Sequence, residues 1–368
     1  MTKEIPSLKK AQRNEVLSQL DLICDDVSSS SYELIAFRNG VLNVVTGELL
    51  PFSPAYIITN KIPWDYNKNA YDELVDLTLN KICCNDAEIR SILEELIGAC
   101  FYRSNNVAGG KAFILTGEGA NGKSTFLNML KAALGKENFS SLDMKELNDR
   151  FSTVRMYKKL ANIGDDISDE FLQGKAISQF KKIVSGNDIK AENKGQDVYF
   201  FKPTVKLLFS ANEIPRVRNK GFEAIKRRLV IIPFNAKFSK DDPDFNARIK
   251  WDLQTQEVAE YLIQIGVQGL QRVLTSQGFT ESEAVKEEID SFERDNNPIL
   301  LFLEEVEDYE ILNNETKEVF ARYDTFCHEN GFTKVAMQTF SKEITRHMDC
   351  KIADKKIKGR KCRVFVRN

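Results

Sequence analysis

The sequence predicts an α/β fold. A parallel sheet layered with helices forms the centre, a mixed strand and helix region precedes it, and a small unit of three helices and a hairpin follows. Three observations carry this. An apolar run, Ala112 to Thr116, leads into glycines 117, 119 and 122, then into apolar residues at helical spacing, Phe126, Leu127, Leu130 and Leu134. Strand-like and helical patterns alternate through residues 111 to 236, as a covered parallel sheet requires. From residue 297 onward the pattern becomes three helical stretches and a basic hairpin, the arrangement of a winged helix.

The segments follow in order. Residues 1 to 30 are polar and read as a flexible lead-in. Residues 32 to 62 read as short strands punctuated by Asn39-Gly40 and Thr46-Gly47. Residues 71 to 102 turn helical, with Ile89, Ile92, Leu93, Leu96, Ile97 and Cys100 on one face and Cys83 and Cys84 as packing residues. Val107 to Gly110 form a hinge. "KKLANIG" (158–164), "TVKLLFSA" (204–211) and "RLVIIPF" (228–234) read as buried strands, and residues 245 to 295 as helical. The expected units are 1–106 (a collar for oligomerisation), 107–290 (the sheet) and 291–368 (the winged helix).

Composition excludes several classes. A net charge of −2 rules out a uniformly basic molecule, so any nucleic-acid contact must come from local patches. No run approaches the roughly 18 apolar residues of a membrane helix. The N-terminus lacks an apolar signal core, and seven cysteines without a C-x-x-C pair read as reduced thiols of a cytosolic protein. Cys327, His328, His347 and Cys350 match no common zinc-finger spacing.

Gly117-x-x-x-x-Gly122-Lys123-Ser124 fits the phosphate-loop pattern between a strand and a helix. Backbone amides across Gly117, Glu118, Gly119, Ala120, Asn121 and Gly122, with the helix start at Lys123, Ser124 and Thr125, suit phosphate oxygens. Lys123 adds a cation for the β and γ phosphates of ATP, and the Ser124 hydroxyl suits Mg²⁺. "LANIGDD" ends a strand in two acids. Asp165 is read as the metal's carboxylate and Asp166 as the group that polarises water; both also suit the N-cap of a following helix. Asn212 ends the next strand, where an amide can touch the γ-phosphate or merely start a turn. Arg227 and Arg228 precede a buried strand. One of them, Arg228 first, suits an arginine finger reaching a neighbour's nucleotide; a solvated pair is the plain alternative.

Together "GEGANGKST", "LANIGDD", "LLFSAN" and "RRLVIIPF" resemble the helicase part of superfamily 3, nearest the phage and plasmid primase–helicases with a poxvirus-like module. The resemblance extends over most of residues 32 to 368. It implies an AAA+-type ATPase ring, a hexamer, with nucleotide between subunits. It further implies a basic β-hairpin in the channel, here "SGNDIKAENKGQDVYFF", with Lys190 and Lys194 gripping single-stranded DNA phosphates. Such family members often carry a primase domain ahead of the helicase; only about thirty polar residues precede the resemblance here, too few for one, so the expectation is either a helicase-only protein or a fragment of a longer chain. Hence the expected function is an ATP-dependent DNA helicase replicating a phage, plasmid or other mobile element in the host cytoplasm, acting on single-stranded and forked DNA.

The tail from Lys351 to Asn368 carries eight Lys/Arg against one Asp. It suits duplex origin DNA, or a solvated edge that discourages strand aggregation. Two other functions stay open: an origin-binding initiator whose nucleotide controls assembly, and a phosphotransferase acting as a monomer.

Overall fold

A computed structural model describes residues 9–23, 30–164, 167, 175–195, 197–212, 214, 222–243, 245–357 and 359–368. The expected lead-in instead contains a helix, α1 (Lys10–Ile23), with Val16, Leu17 and Leu20 exposed. These three lie at i, i+1 and i+4, one helical face that the polar composition masks.

Strands β1 (Leu34–Phe37), β2 (Gly40–Asn43) and β3 (Glu48–Leu50) form an antiparallel meander. The helical stretch expected from 71 to 102 is two helices, α2 (Glu73–Ile82) and α3 (Ala87–Ala99). Cys84 and Asn85 adopt positive φ, 52° and 61°, which ends α2, and Asp86 then caps α3 by accepting from the Glu88 and Ile89 amides. Of the two cysteines read as packing residues, Cys83 is buried but Cys84 is exposed in this turn.

The central sheet holds β4 (Ala112–Thr116), β5 (Phe139–Ser140), β6 (Ala161–Gly164), β9 (Lys206–Ser210) and β10 (Leu229–Pro233) in the order β10-β4-β9-β6-β5, all pairs parallel. Apart from β5, its strands are buried at every residue, which is why they read as mostly apolar runs. Helix α4 (Lys123–Leu134) follows β4 and α5 (Lys175–Val184) follows β6. A two-stranded hairpin, β7 (Ile189–Ala191) and β8 (Tyr199–Phe201), precedes β9, and the short α6 (Phe222–Lys226) precedes β10.

After β10 come α7 (Ile249–Asp252), α8 (Gln256–Ser276) and α9 (Glu283–Asn296). Helices α3 and α8 cross at glycines: a side chain at Gly98 would strike the Gly266 carbonyl and sit 2.8 Å from Leu270 Cβ. This contact merges the meander, α2, α3 and one face of the central sheet into one core, which spans residue 106. The C-terminal unit has its own core, built from α10 (Pro298–Glu305), α11 (Asp308–Ile311), α12 (Thr316–Glu329), α13 (Met337–His347) and the hairpin β11 (Cys350–Ile357) and β12 (Arg360–Arg367). Tyr323 and Phe340 stack at 4.6 Å inside it. No described helix is long and apolar enough to cross a membrane.

Candidate nucleotide site and its opposite edge

Parallel strands place their C-terminal ends on one edge of the sheet, and ligands of open α/β sheets bind there. Thr116 ends β4 and Ser210 ends β9, its neighbour. Gly117 has φ +133°, and a side chain there would meet Asn121 Nδ2 and the Phe234 carbonyl oxygen, each at 2.5 Å. Gly122 has φ +93° as the left-handed N-cap of α4. These two positions require glycine; Ala120 tolerates φ 58°. At Gly119 nothing lies within 4 Å of an added Cβ, so the loop faces open space there.

Lys123 is almost fully buried. Its Nζ donates to the carbonyl oxygens of Gly117 and Glu118 (the latter at 3.3 Å) and to Asn212 Oδ1 at 3.3 Å. The structure thus joins two motifs that lie 89 residues apart in the chain. Ser124 is exposed and Thr125 half-buried in the first turn of α4. Asn121 is buried and holds the loop: its Nδ2 donates to the Phe234 carbonyl at 3.0 Å, and its Oδ1 accepts from the Lys123 amide at 3.4 Å. Asp165 and Asp166 lie outside the described residues; before them, Gly164 is level with Phe209 of β9, and after them the Ile167 amide donates to the Ser210 carbonyl at 3.1 Å.

Sequence reasoning missed several groups on this edge. Glu288 of α9 accepts from Thr116 Oγ1 at 3.5 Å, and burial pushes its carboxyl above the usual range. Residues 234–239, with Asp242, Phe245, Asn246 and Ile249, lie along the far side of the loop, and the Phe238 amide donates to the Ala120 carbonyl at 2.9 Å. Helix α2 joins them through Lys81, whose Nζ lies 3.0 Å from Asp242 Oδ2. No motif marks this segment, and α2 lies some forty residues upstream of the loop, so only tertiary contact reveals either.

The arginines lie at the other edge. Leu229 is level with Ala112, and the Arg228 carbonyl accepts from the Ala112 amide at 2.8 Å. Arg227 is exposed. Arg228 is half-buried; it donates to the Ala224 carbonyl at 2.7 Å and to Ser185 Oγ at 3.3 and 3.4 Å. Burial, and then the nearby Arg227 charge, pull its guanidinium below the ordinary value. The structure therefore does not bring the arginines to the loop of their own chain.

The hairpin shares this second edge, since it leads directly into the start of β9. Lys190 is exposed, level with Phe200 across the hairpin, and lies 3.8 Å from Glu192, which Arg150 also engages at 2.5 Å. Lys194 is exposed beside Gly195, whose φ of +78° makes the turn. Tyr199 and Phe201 pack on Tyr157 at 5.6 and 5.2 Å, which turns Phe200 outward, 68% exposed.

Comparison with known families matches three stretches. Residues 1–98 match the "D5 N terminal like" family, residues 294–367 the "Poxvirus D5 protein-like" family, and residues 115–228 a family of unknown function, DUF5906. These matches, with the relatives and the solved structure that follow, support a superfamily 3 helicase of the D5 type. Two curated relatives carry the name "Putative helicase": L207/L206 of Acanthamoeba polyphaga mimivirus, 29% identical over 216 residues, and 121R of Invertebrate iridescent virus 3, 26% identical over 219. Each alignment takes in 56% of this chain but only 22% and 23% of the relative. The chain thus spans under a quarter of the length of these relatives. The apo structure of the NrS-1 C terminal region shares the fold, with a TM-score of 0.52 at 16% identity over 98% of this chain and 91% of that one.

Proposed function

We propose that this protein is an ATP-hydrolysing, ring-forming DNA helicase for replication of a virus, phage, plasmid or other mobile element. The observation that carries this reading is the meeting of Lys123 with Asn212 at the mouth of the glycine loop, while the arginines sit at the opposite edge. An edge that receives phosphate and an edge that supplies cations suit copies assembled head to tail, each completing its neighbour's site.

In this reading the loop amides from Gly117 to Gly122 and Lys123 bind the phosphates, and Asn212 orients the attacking water. Asp166 polarises that water. Ser124 and Asp165 would hold Mg²⁺; the exposed hydroxyl at the helix start is the hard oxygen donor such an ion takes, and the bound ion neutralises phosphate charge. Arg227 or Arg228 of a neighbour stabilises charge in the transition state. Arg228 is bonded to Ser185, four residues before β7, which gives a physical link from a neighbour's nucleotide to the hairpin. Lys190 and Lys194 then grip phosphates of a single strand without reading its sequence.

The test is ATPase activity with and without single-stranded DNA, joined to strand displacement on a fork. DNA-stimulated hydrolysis is expected, and Lys123→Ala is expected to abolish it; a variant that keeps a DNA-stimulated rate refutes the site. Binding to one duplex sequence without unwinding favours the initiator reading, which the basic β11–β12 hairpin supports through Lys355, Lys361 and Arg363.

A further inference from the structure

Asn105 lies in the linker between α3 and β4 and is almost fully buried. Its Nδ2 donates to the Ile183 carbonyl at 2.7 Å and to the Pro203 carbonyl at 3.1 Å. Ile183 is in the last turn of α5, six residues before β7, and Pro203 is two residues after β8. One side chain thus holds both roots of the hairpin that carries Lys190 and Lys194. The roots lie side by side here: a side chain added at Gly186 would meet Asn105 Cβ at 3.4 Å and the Pro203 carbonyl oxygen at 3.7 Å. Among the described residues, Asn105 Oδ1 has no partner. A buried acceptor left unpaired costs stability, so the amide serves this position through its two N–H groups alone.

The linker is itself fixed to the N-terminal meander and to the sheet. One nitrogen of Arg103 donates to the carbonyls of Ser30, Ser31 and Leu34 at 3.1, 2.7 and 3.2 Å. Lys206, at the start of β9, donates to the Tyr102 carbonyl at 2.5 Å. From the other side, Arg228 bonds Ser185, two residues after Ile183. The end of α5 is therefore gripped twice, by Asn105 from the linker and by Arg228 from the arginine edge. A shift of Arg228 toward a neighbour's phosphate pulls on Ser185, and the hairpin swings only if its roots turn about a fixed point. We propose that Asn105 is that point, a positioning residue that ties both hairpin roots to the N-terminal linker, so that a change at Arg228 reaches Lys190 and Lys194 instead of being lost as slack at one root. This rests on the helicase reading of the hairpin and the arginines.

The experiment measures ATP hydrolysis and strand displacement on a fork with the full chain, and reads the base pairs opened per ATP. Asn105→Leu is close in shape and lacks both donors; Asn105→Ala lacks them too and leaves room for water on the two carbonyls. Ser185→Ala, at a half-buried position, removes the arginine's bond to the end of α5. Each variant is expected to keep its ATPase rate without DNA within about twofold of wild type, and to open about fivefold fewer base pairs per ATP or worse. Combining Asn105→Leu with Ser185→Ala should be no worse than the worse single variant, because both break one route. Three outcomes overturn the proposal and leave the helicase reading standing: wild-type opening per ATP in both Asn105 variants, hydrolysis and opening that fall in step with the thermal midpoint, or losses that multiply in the combined variant. A wild-type chain with neither DNA-stimulated hydrolysis nor strand opening overturns the helicase reading, and the proposal with it.

Discussion

The arginines at the start of β10 allow a test whose outcome follows from geometry. Five strand residues separate them from the glycine loop of the same chain, roughly 17 Å along the sheet. An arginine side chain covers less than half of that, so Arg227 or Arg228 can serve a nucleotide only in a neighbouring copy. Lys123→Ala removes the loop cation, and Arg227→Ala or Arg228→Ala removes the transition-state charge; the arginine loss is expected to lower DNA-stimulated ATPase about 10³-fold or more. A Lys123→Ala subunit still carries both arginines, and an arginine variant still carries an intact loop. In a randomly mixed ring about one boundary in four pairs an intact loop with an intact arginine. Mixing two inactive proteins in equal amounts should therefore recover about a quarter of the wild-type rate, if the sites work independently. Phosphate release from mixtures of varied ratio reads this directly, with a maximum at equal amounts. Mixtures no more active than their parts would refute the shared site. Each arginine is tested singly, because Arg228 also holds Ser185 and the Ala224 carbonyl, so its variant needs an unfolding midpoint as a control.

Three other outcomes are expected. Replacing Lys190 and Lys194 together by alanine should lower the slope of log affinity against log salt for single-stranded DNA by about 1.4, at about 0.7 for each phosphate no longer neutralised; anisotropy titrations at several salt concentrations measure it. Lys206 is buried at the start of β9, donating to the Tyr102 and Thr204 carbonyls at 2.5 and 2.9 Å, and burial pulls its amine down to about 7 from the ordinary 10.5. The unfolded chain holds the extra proton between those values, so stability should rise with pH across that window, by on the order of 1.4 kcal/mol per pH unit. Urea midpoints of wild type minus Lys206→Met at about pH 7, 8 and 9 should show the rise. Gly98→Ala should destabilise by about 1–3 kcal/mol despite alanine's helix advantage of about 1 kcal/mol, because its methyl group meets the Gly266 backbone; a lowered thermal midpoint checks this.

The sequence by itself determined whatever is local. Gly117 and Gly122 had to sit where φ is positive. The runs at 112, 161, 206 and 229 read as buried strands, because strands covered on both faces are apolar at most of their residues. The hairpin around Lys194 was expected from the family resemblance, and Gly195 at φ +78° makes its turn. The break between α2 and α3 stayed hidden, since Cys84 and Asn85 adopt left-handed backbone in a segment whose apolar spacing continues through it. Helix α1 was hidden by polar composition. What only the tertiary structure decided is which distant pieces meet. The strand order puts Asn212 against Lys123 and sends Arg228 to the far edge, and the glycine crossing of α3 and α8 binds the N-terminal region into the core of the sheet. Helix α2 and the side chains of Phe238, Phe245 and Ile249 become walls of one hollow because both pack on the same loop. Spacing along a chain specifies turns and faces; it holds no information about which faces close on one another until the whole core is packed.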